Sequence, residues 1–479
     1  MWFITFDLPI WIITAVIVLN ISFLIAMIFI EQQNPDKFFK WGAVLLLLPF
    51  VGFVFYLFFG KGPSISRKKN VMIKLTDDKT YAGLLKDQQV FIDEVLDWSE
   101  RLENFISYNI NANGALLATN NNCELFTDMT AHYEDIYAEI QRAENYIHIC
   151  YFIWRPDKHG TKLRDLLAEK AKSGVRVRVL YDDIGSLTTK DKFFNVLRDA
   201  GGEVYAFTPS KLRYFSRNMN YRNHRKILVI DGKVGYIGGA NIGGEYLGEK
   251  KKTSPWRDSH LKVSGGIINA LNLRFLQDYK FSTSKEVNFE MADISPKGEF
   301  TMQIISSGPD SRTPRIENTY IKAIYNARKQ ILIQTPYLIL DEAFKLALVS
   351  AVNSGVKVSI MIPGKPDKRS VLYVTMAYAI ELHKKGVEIL IYDGFLHAKT
   401  MLVDDEISSV GTFNLDIRSF KLHYESTALI YGDKFANIMQ ETYETDSQSC
   451  LEMTDKMIAE RGLFDRFITR IALLFSPLM

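Results

Sequence analysis

The chain has 479 residues, with 58 lysines and arginines against 55 aspartates and glutamates, for a formal net charge of +3. That length allows two or three domains or one large two-lobed body, and the near balance excludes the strong basic field of a general nucleic-acid binder. Three scattered cysteines, Cys123, Cys150 and Cys450, form no Cys-x-x-Cys pair, which argues for reduced structural thiols and against a disulfide framework or a thiolate zinc site.

Two uncharged stretches open the chain, Leu8 to Ile30 and Trp41 to Gly60. Each is long enough to cross a hydrocarbon layer roughly 30 Å thick at about 1.5 Å per residue. No Lys or Arg precedes the first stretch and bulky Ile and Phe close it, unlike a cleaved signal peptide. Residues 1–69 are therefore expected to form a two-helix transmembrane hairpin. Lys37 and Lys40 lie in its loop, whereas Lys61, Arg67, Lys68 and Lys69 come after the second span. That bias places the large soluble part on the cytoplasmic side of a multi-pass protein. Residues 70–114 read as a linker, a lead-in to the large folded region.

From about residue 115 the sequence alternates β-branched runs with helical patterns, the mark of βαβ units, and it does so twice. "YIHICYFI", "GTKLRDLLAEKAKSG" and "VRVRVLYDD" in the first half match "QILIQTPYLI", "DEAFKLALVSAVNSG" and "VKVSIMIPG" in the second. Both helical stretches end on Ser-Gly before a Val-rich strand, as a C-terminal cap should. Further on, "NHRKILVIDGKVGYIGGANIG" matches "FLHAKTMLVDDEISSVGTFNLD". The spacing predicts an α/β fold of two tandem α/β/α halves, over 115–290 and 291–479, related by a pseudo-twofold.

The second pair of segments carries His-x-Lys-x4-Asp in both copies: His224, Lys226 and Asp231, then His397, Lys399 and Asp404. Gly238 and Gly411 each lie 14 residues after their His, and Asn241 and Asn414 each lie 17 after. With only eight histidines in the chain, one such motif has a chance expectation on the order of a few hundredths. On a strand, His and Lys two apart share a face. Two such strands meeting at a pseudo-twofold would bring two His and two Lys into one pocket. Lys ammonium groups and Asn amides suit phosphate oxygens. One imidazole can attack phosphorus while the other protonates the departing alcohol, with no metal or other cofactor required. Asp231 and Asp404 precede turn sequences, where Asp also serves the backbone, so a structural role competes with a chemical one.

The doubled motif with its trailing Gly-x-x-Asn resembles the phospholipase D superfamily. The N-terminal hairpin, "PWRDSHLKVSG", "GFLHAKTMLVDD" and the ending "LFSPLM" are similar to the membrane-anchored bacterial cardiolipin synthases of that superfamily. The resemblance covers essentially the whole chain. It implies a transferase that joins two phosphatidylglycerol molecules into cardiolipin and releases glycerol, through a covalent phosphatidyl-histidine. It implies His224 as nucleophile and His397 as general acid and base, with Lys226, Lys399, Asn241 and Asn414 on the phosphate. It also implies a carboxylate behind each His, Asp258 for His224 and Glu425 for His397. Thr412 keeps the hydroxyl that relatives often carry after the conserved Gly, whereas Gly239 lacks one. The implied partners are phosphatidylglycerol and anionic membrane lipids, in a bacterial cell membrane, with no nucleic acid.

Other stretches stay open. Lys211, Arg213, Arg217 and Arg222 interleave with Tyr214, Phe215 and Tyr221, which suits anionic headgroups, an ordinary basic loop or a nucleic-acid surface alike. "DRFITRIALLFSPLM" fits an interfacial amphipathic helix or a terminal helix packed on the domain. A hydrolytic phospholipase D or phosphodiesterase of the same superfamily is the competing activity, and an inactive membrane scaffold the competing class.

Overall fold

The computed structural model describes residues 9–30, 35–47, 52, 56, 98–209, 220–250, 253–285, 287, 289, 298–311 and 313–474. Its contacts divide the chain into two units, residues 1–68 with 210–220, and residues 69–209 with 221–479. In the first, a helix over Ile10–Ile30 and a second over Pro35–Leu47 pack through Met27 and Leu45. The Ile10–Ile30 helix is long and apolar enough to cross a membrane. Most of the expected second span, beyond Leu47, lies outside the described residues, as does most of the basic segment at 211–222.

The second unit is built on one 15-stranded sheet among the described residues. The first half contributes β1 (Leu117–Phe126), β2 (Tyr146–Tyr151), β3 (Arg176–Asp182), β4 (Glu203–Phe207), β5 (Ile227–Ile230), β6 (Val234–Gly238) and β7 (His260–Ser264). The second half contributes β8 (Phe300–Ser307), β9 (Gln330–Gln334), β10 (Lys357–Pro363), β11 (Glu388–Tyr392), β12 (Thr400–Val403), β13 (Ile407–Gly411) and β14 (Glu425–Tyr431), and β15 (Cys450–Glu452) closes its edge. The spatial order is β4-β3-β2-β5-β6-β7-β1-β8-β14-β13-β12-β9-β10-β11-β15. Reading outward from the β1–β8 junction, each half repeats the order of the other with seven added to each strand number. The strand senses repeat as well: β2, β3 and β4 run parallel, as do β9, β10 and β11, and the remaining pairs are antiparallel.

Local sequence explains the matching crossovers. The helix Lys158–Lys172 starts at Asp157, whose carboxylate accepts from the amides of His159 and Gly160, and Glu342–Asn353 starts at Asp341, which accepts from Phe344 N. These bonds satisfy amides that have no partner inside the helix. Gly174 and Gly355, at φ of +94° and +84°, turn each chain into the next strand, a conformation that a side chain would strain.

One apolar cluster fills the first half around Ile147, Val179 and Leu228, and another fills the second around Ile333, Ile360 and Val403. A third is shared: Ile227, Val229 and Leu261 of the first half pack with Leu402, Val410 and Ala428 of the second. The halves are thus joined by core as well as by strand pairing. The helix Glu100–Asn113 lies in the stretch expected to be a lead-in, yet Leu102, Phe105, Ile106 and Ile110 are buried in the second half's core. It is an integral part of that half; residues 70–97 fall outside the description.

Candidate active site

The two His-x-Lys segments enter β5 and β12 at the junction of the halves, and each is stitched to the opposite half. His224 N donates to Tyr424 O at 2.9 Å, and Tyr424 N returns a bond to Arg222 O at 2.8 Å. On the other side, His397 N donates to Arg257 O at 2.6 Å and Phe395 N to Pro255 O at 2.9 Å. Trp256–Arg257 and Phe395–Leu396 form a short parallel pair there.

This exchange decides which carboxylate meets which imidazole. His224 Nδ1 lies 3.0 Å from Glu425 Oε2, and His397 Nδ1 lies 2.6 Å from Asp258 Oδ2. The expectation that each carboxylate serves the His of its own half is therefore corrected: the pairs are crossed. The physical reason lies in the backbone, because each motif segment pairs with the residues just before the other half's carboxylate.

Both pairs fix the same tautomer. His224 Nδ1 faces only acceptors, Glu425 and the Thr412 carbonyl at 3.1 Å, and His397 Nδ1 faces Asp258, so the proton sits on Nδ1 in both rings. Each Nε2 is left with its lone pair for chemistry. The carboxylates are themselves held. Glu425 accepts from Ser419 Oγ at 2.9 Å and from the Thr412 hydroxyl, and Asp258 accepts from Ser259 N at 2.8 Å.

The difference between Thr412 and Gly239 reflects this support. The Thr412 hydroxyl is committed to Glu425 and to the Ser426 backbone. It thereby supports Glu425, the partner of His224. A Cβ on Gly239 would lie 2.0 Å from Asp258 Oδ1, so the first half has no room for a hydroxyl side chain there. The shorter Asp goes with Gly, and the longer Glu goes with Thr.

Burial pushes the His224 pKa down to about 3 against the pull of Glu425, and the His397 pKa to about 4, with Lys399 adding to the fall and Asp258 opposing it. Lys226 is pushed down to about 7 and Lys399 to about 8, both by burial, with Glu425 and Asp258 opposing the fall at each. Both lysines feel both carboxylates, so the four motif side chains form one electrostatic unit. Burial works against the charge on Glu425 and Asp258, but the neighbouring imidazoles and hydrogen bonds hold both below the ordinary carboxylate range. Lys226 Nζ donates to His224 O at 2.8 Å, and Lys399 Nζ donates to His397 O. Each lysine thereby braces the backbone of its own histidine. Asn241 is anchored, its Oδ1 accepting from Ile153 N at 3.1 Å, while Asn414 Oδ1 is buried without a hydrogen bond.

The motif aspartates lie elsewhere. Asp231 accepts from the amides of Glu144, Asn145 and Tyr146 at 2.7–2.8 Å, and Asp404 accepts from those of Arg328, Lys329 and Gln330 and from Arg101. Each sits at the far end of its strand from the His and pins the entry of β2 or β9. The carboxylate oxygens are occupied by backbone amides that would otherwise be unpaired, which favours the structural role over the chemical one.

Sequence reasoning missed four residues. Arg225, buried inside the first motif, bonds Asp278 and reaches Glu425 O at 3.1 Å and Ser307 O at 3.1 Å across the junction. Arg257 reaches Asp446 of the second half at 2.8 Å. Trp256 and His423 stand two residues before Asp258 and Glu425, and each packs on the His that its neighbour orients. Ring centroids are 4.9 Å apart for Trp256–His397 and 5.7 Å for His423–His224. The offset from the carboxylate is the signal that would have found this last pair. Among the described residues, His224, His423 and Glu425 bring three ligand atoms within 4.8 Å of one another. Glu425 and His224 are already committed to each other, and Lys226 stands beside them, an arrangement that suits an anion better than a cation.

Residues 136–252 and 320–447 match the family described as cardiolipin synthase, PLD-like domain, and residues 10–61 match a phospholipase D-nuclease N-terminal family. The chain is 40% identical over 475 residues to the major cardiolipin synthase ClsA of Bacillus subtilis, covering 96% of this chain and 98% of that one. The chain belongs to the cardiolipin synthase family. A cardiolipin synthase of Staphylococcus aureus is 38% identical over 473 residues, covering 96% of this chain and 95% of its own. The fold resembles the crystal structure of phosphatidylserine synthase from Haemophilus influenzae, with a TM-score of 0.58 and 15% identity over 78% of this chain and 98% of that one. As a cardiolipin synthase with an apolar N-terminal helix, the protein is a membrane-bound phosphatidyltransferase that acts on phospholipids.

Proposed function

We propose that the site condenses two phosphatidylglycerol molecules into cardiolipin and glycerol through a phosphatidyl group carried on His224. The observation that carries this reading is the crossed pair of Nδ1–carboxylate bonds, which frees both Nε2 lone pairs, beside two lysines that each feel both carboxylates. His224 Nε2 forms a bond to phosphorus as the bond to the glycerol headgroup breaks, and His397 gives that oxygen its proton. Arrival of the anionic phosphate raises the pKa of His397, which is low when the site is empty, so the acid form accompanies substrate. His397 then takes the proton from a hydroxyl of a second phosphatidylglycerol, which attacks phosphorus and releases His224. Lys226 and Lys399, with Asn241 and Asn414, stabilise the charge on the non-bridging oxygens. Glu425 and Asp258 compensate the charge each imidazole gains.

The membrane enters the chemistry. A lipid acceptor held in the same bilayer has a high effective concentration, which favours transfer over hydrolysis. The anchor is a two-span hairpin with the catalytic halves, 115–290 and 291–479, on the cytoplasmic side of the bacterial membrane; the lysine and arginine bias after the second span supports that orientation.

The test is purified full-length enzyme in vesicles containing phosphatidylglycerol, with products resolved over time. Cardiolipin and free glycerol in equal amounts support the reading. Phosphatidic acid in place of cardiolipin would establish a hydrolase instead.

A further inference from the structure

The last helix, Leu463–Leu474, has two unlike faces. Thr469 and Ala472 are buried and Leu473 packs into the second half's core, on the side that meets the helix Arg369–His383. On the other side Leu463 is 83% exposed, Phe464 75%, Phe467 61% and Ile471 42%. At about 100° per residue these four fall within an arc of roughly 100°, centred opposite the packed face. Exposed Arg470 and Arg466 both lie off the same edge of that arc, by about 20° and 60°, with Arg466 also donating to Ala459 O, while Asp465 is turned back onto Arg461 at 2.5 Å. One flank of the patch is therefore positive, and Ile468 lies along the other.

Nothing comparable occurs elsewhere among the described residues of this unit. Val196, Tyr325, Leu346, Ile438, Leu451 and Met457 are also exposed, but each stands on a different element, and single exposed apolar side chains are ordinary. The helix instead presents a continuous apolar surface on the order of 400–500 Å². A second copy docked here would fall short of the roughly 800 Å² per partner of a stable protein interface. A narrow apolar stripe flanked on one side by arginines suits the boundary between acyl chains and anionic headgroups.

We propose that Leu463–Leu474 is an interfacial helix that seats the catalytic unit on an anionic lipid surface. The apolar stripe enters the acyl boundary and Arg470, beside its edge, meets the phosphates.

The probe is an environment-sensitive fluorophore on Phe467→Cys, in the full chain with Cys123→Ser and Cys450→Ser. It is placed in phosphatidylcholine vesicles with and without phosphatidylglycerol. A blue-shifted emission quenched by brominated acyl chains, more so with the anionic lipid, is expected, and the same label on Lys172→Cys stays unquenched. Absence of quenching at 467 overturns the proposal, and so does quenching that tracks protein density rather than bromine, since that marks contact between copies. A Phe464→Asp/Phe467→Asp enzyme should lose about tenfold of its rate on bilayer substrate while keeping its rate on monomeric short-chain phosphatidylglycerol; equal losses on both overturn the proposal. The rate arm rests on the substrate proposed above and the fluorescence arm does not, so an enzyme inert toward phosphatidylglycerol would sink that reading alone.

Discussion

Replacing Glu425 by Gln keeps the shape of the side chain and an acceptor for His224 Nδ1, now at 3.0 Å from a carboxylate oxygen, but removes the charge. A hydrogen bond to a charged group contributes about 1.5–3 kcal/mol, against roughly 0.5–1.5 for a neutral one. The difference of about 1–2 kcal/mol applies where His224 gains positive charge, which slows that step by about 5- to 30-fold. Asp258→Asn acts in the same way on His397. The two variants separate when the leaving group no longer needs an acid. With a phosphatidyl donor carrying p-nitrophenol, Glu425→Gln should remain slow in the first turnover, because attack by His224 is still required. Asp258→Asn should recover most of the original rate, because p-nitrophenolate departs without a proton from His397. Single-turnover absorbance at several enzyme concentrations reads both. Recovery in Glu425→Gln with persistent loss in Asp258→Asn would refute the crossed assignment of roles.

The same geometry sets three further outcomes. With Lys226 pushed down to about 7 and Lys399 to about 8, each ammonium is charged only below its own pKa. In the pH profile, kcat/KM should therefore fall as pH rises through 7 to 8, whereas the limb in kcat should lie at higher pH because bound phosphate retains the protons; a kcat/KM flat from pH 7 to 9 contradicts this. Gly239→Ala puts a Cβ where Asp258 Oδ1 stands, at 2.0 Å, so the carboxylate must leave His397. Activity should fall about 100-fold or more with little change in expression, and wild-type activity in this variant would contradict the packing argument. Asp404→Ala unpairs the Arg328, Lys329 and Gln330 amides. It should lower thermal stability by an amount on the order of 3 kcal/mol while the folded fraction keeps its kcat, as active-site titration would show; unchanged stability with a lost kcat would return Asp404 to the chemistry.

Much of the fold was legible because it is written twice. The paired "NSG" and "KSG" helix ends, the Val-rich strands after them and the two motifs all report one local arrangement each, and duplication made that local signal a global one. The motif residues stood out for the same reason, by recurring, but the expected strand placement is corrected: His224 to Lys226 and His397 to Lys399 lie just before β5 and β12, where each lysine donates to the carbonyl of its own histidine. What could not be read were relations across the junction. Asp258 and Glu425 stand at matching places in their halves, and sequence distance favours pairing within a half. The crossing arises from the backbone exchange of His224 with Tyr424 and of His397 with Arg257, which no single stretch encodes. Arg225 was hidden for a similar reason. Its burial comes from Asp278 and Ser307, which lie far away along the chain. For Asp231 and Asp404 the sequence held both readings, motif spacing for chemistry and the following turn for the backbone, and their bonds are to the amides that open the neighbouring strand.

The central claim is that a phosphatidyl group is carried on His224. Full-length enzyme in vesicles, given phosphatidylglycerol labelled with radioactive phosphorus and quenched within one turnover, can be digested under conditions that preserve phosphohistidine and its peptides mapped. The account predicts label on the peptide containing His224, lost in Glu425→Gln in proportion to its slower attack. Label on the peptide containing His397, or cardiolipin formed with no labelled peptide at any time, would contradict it.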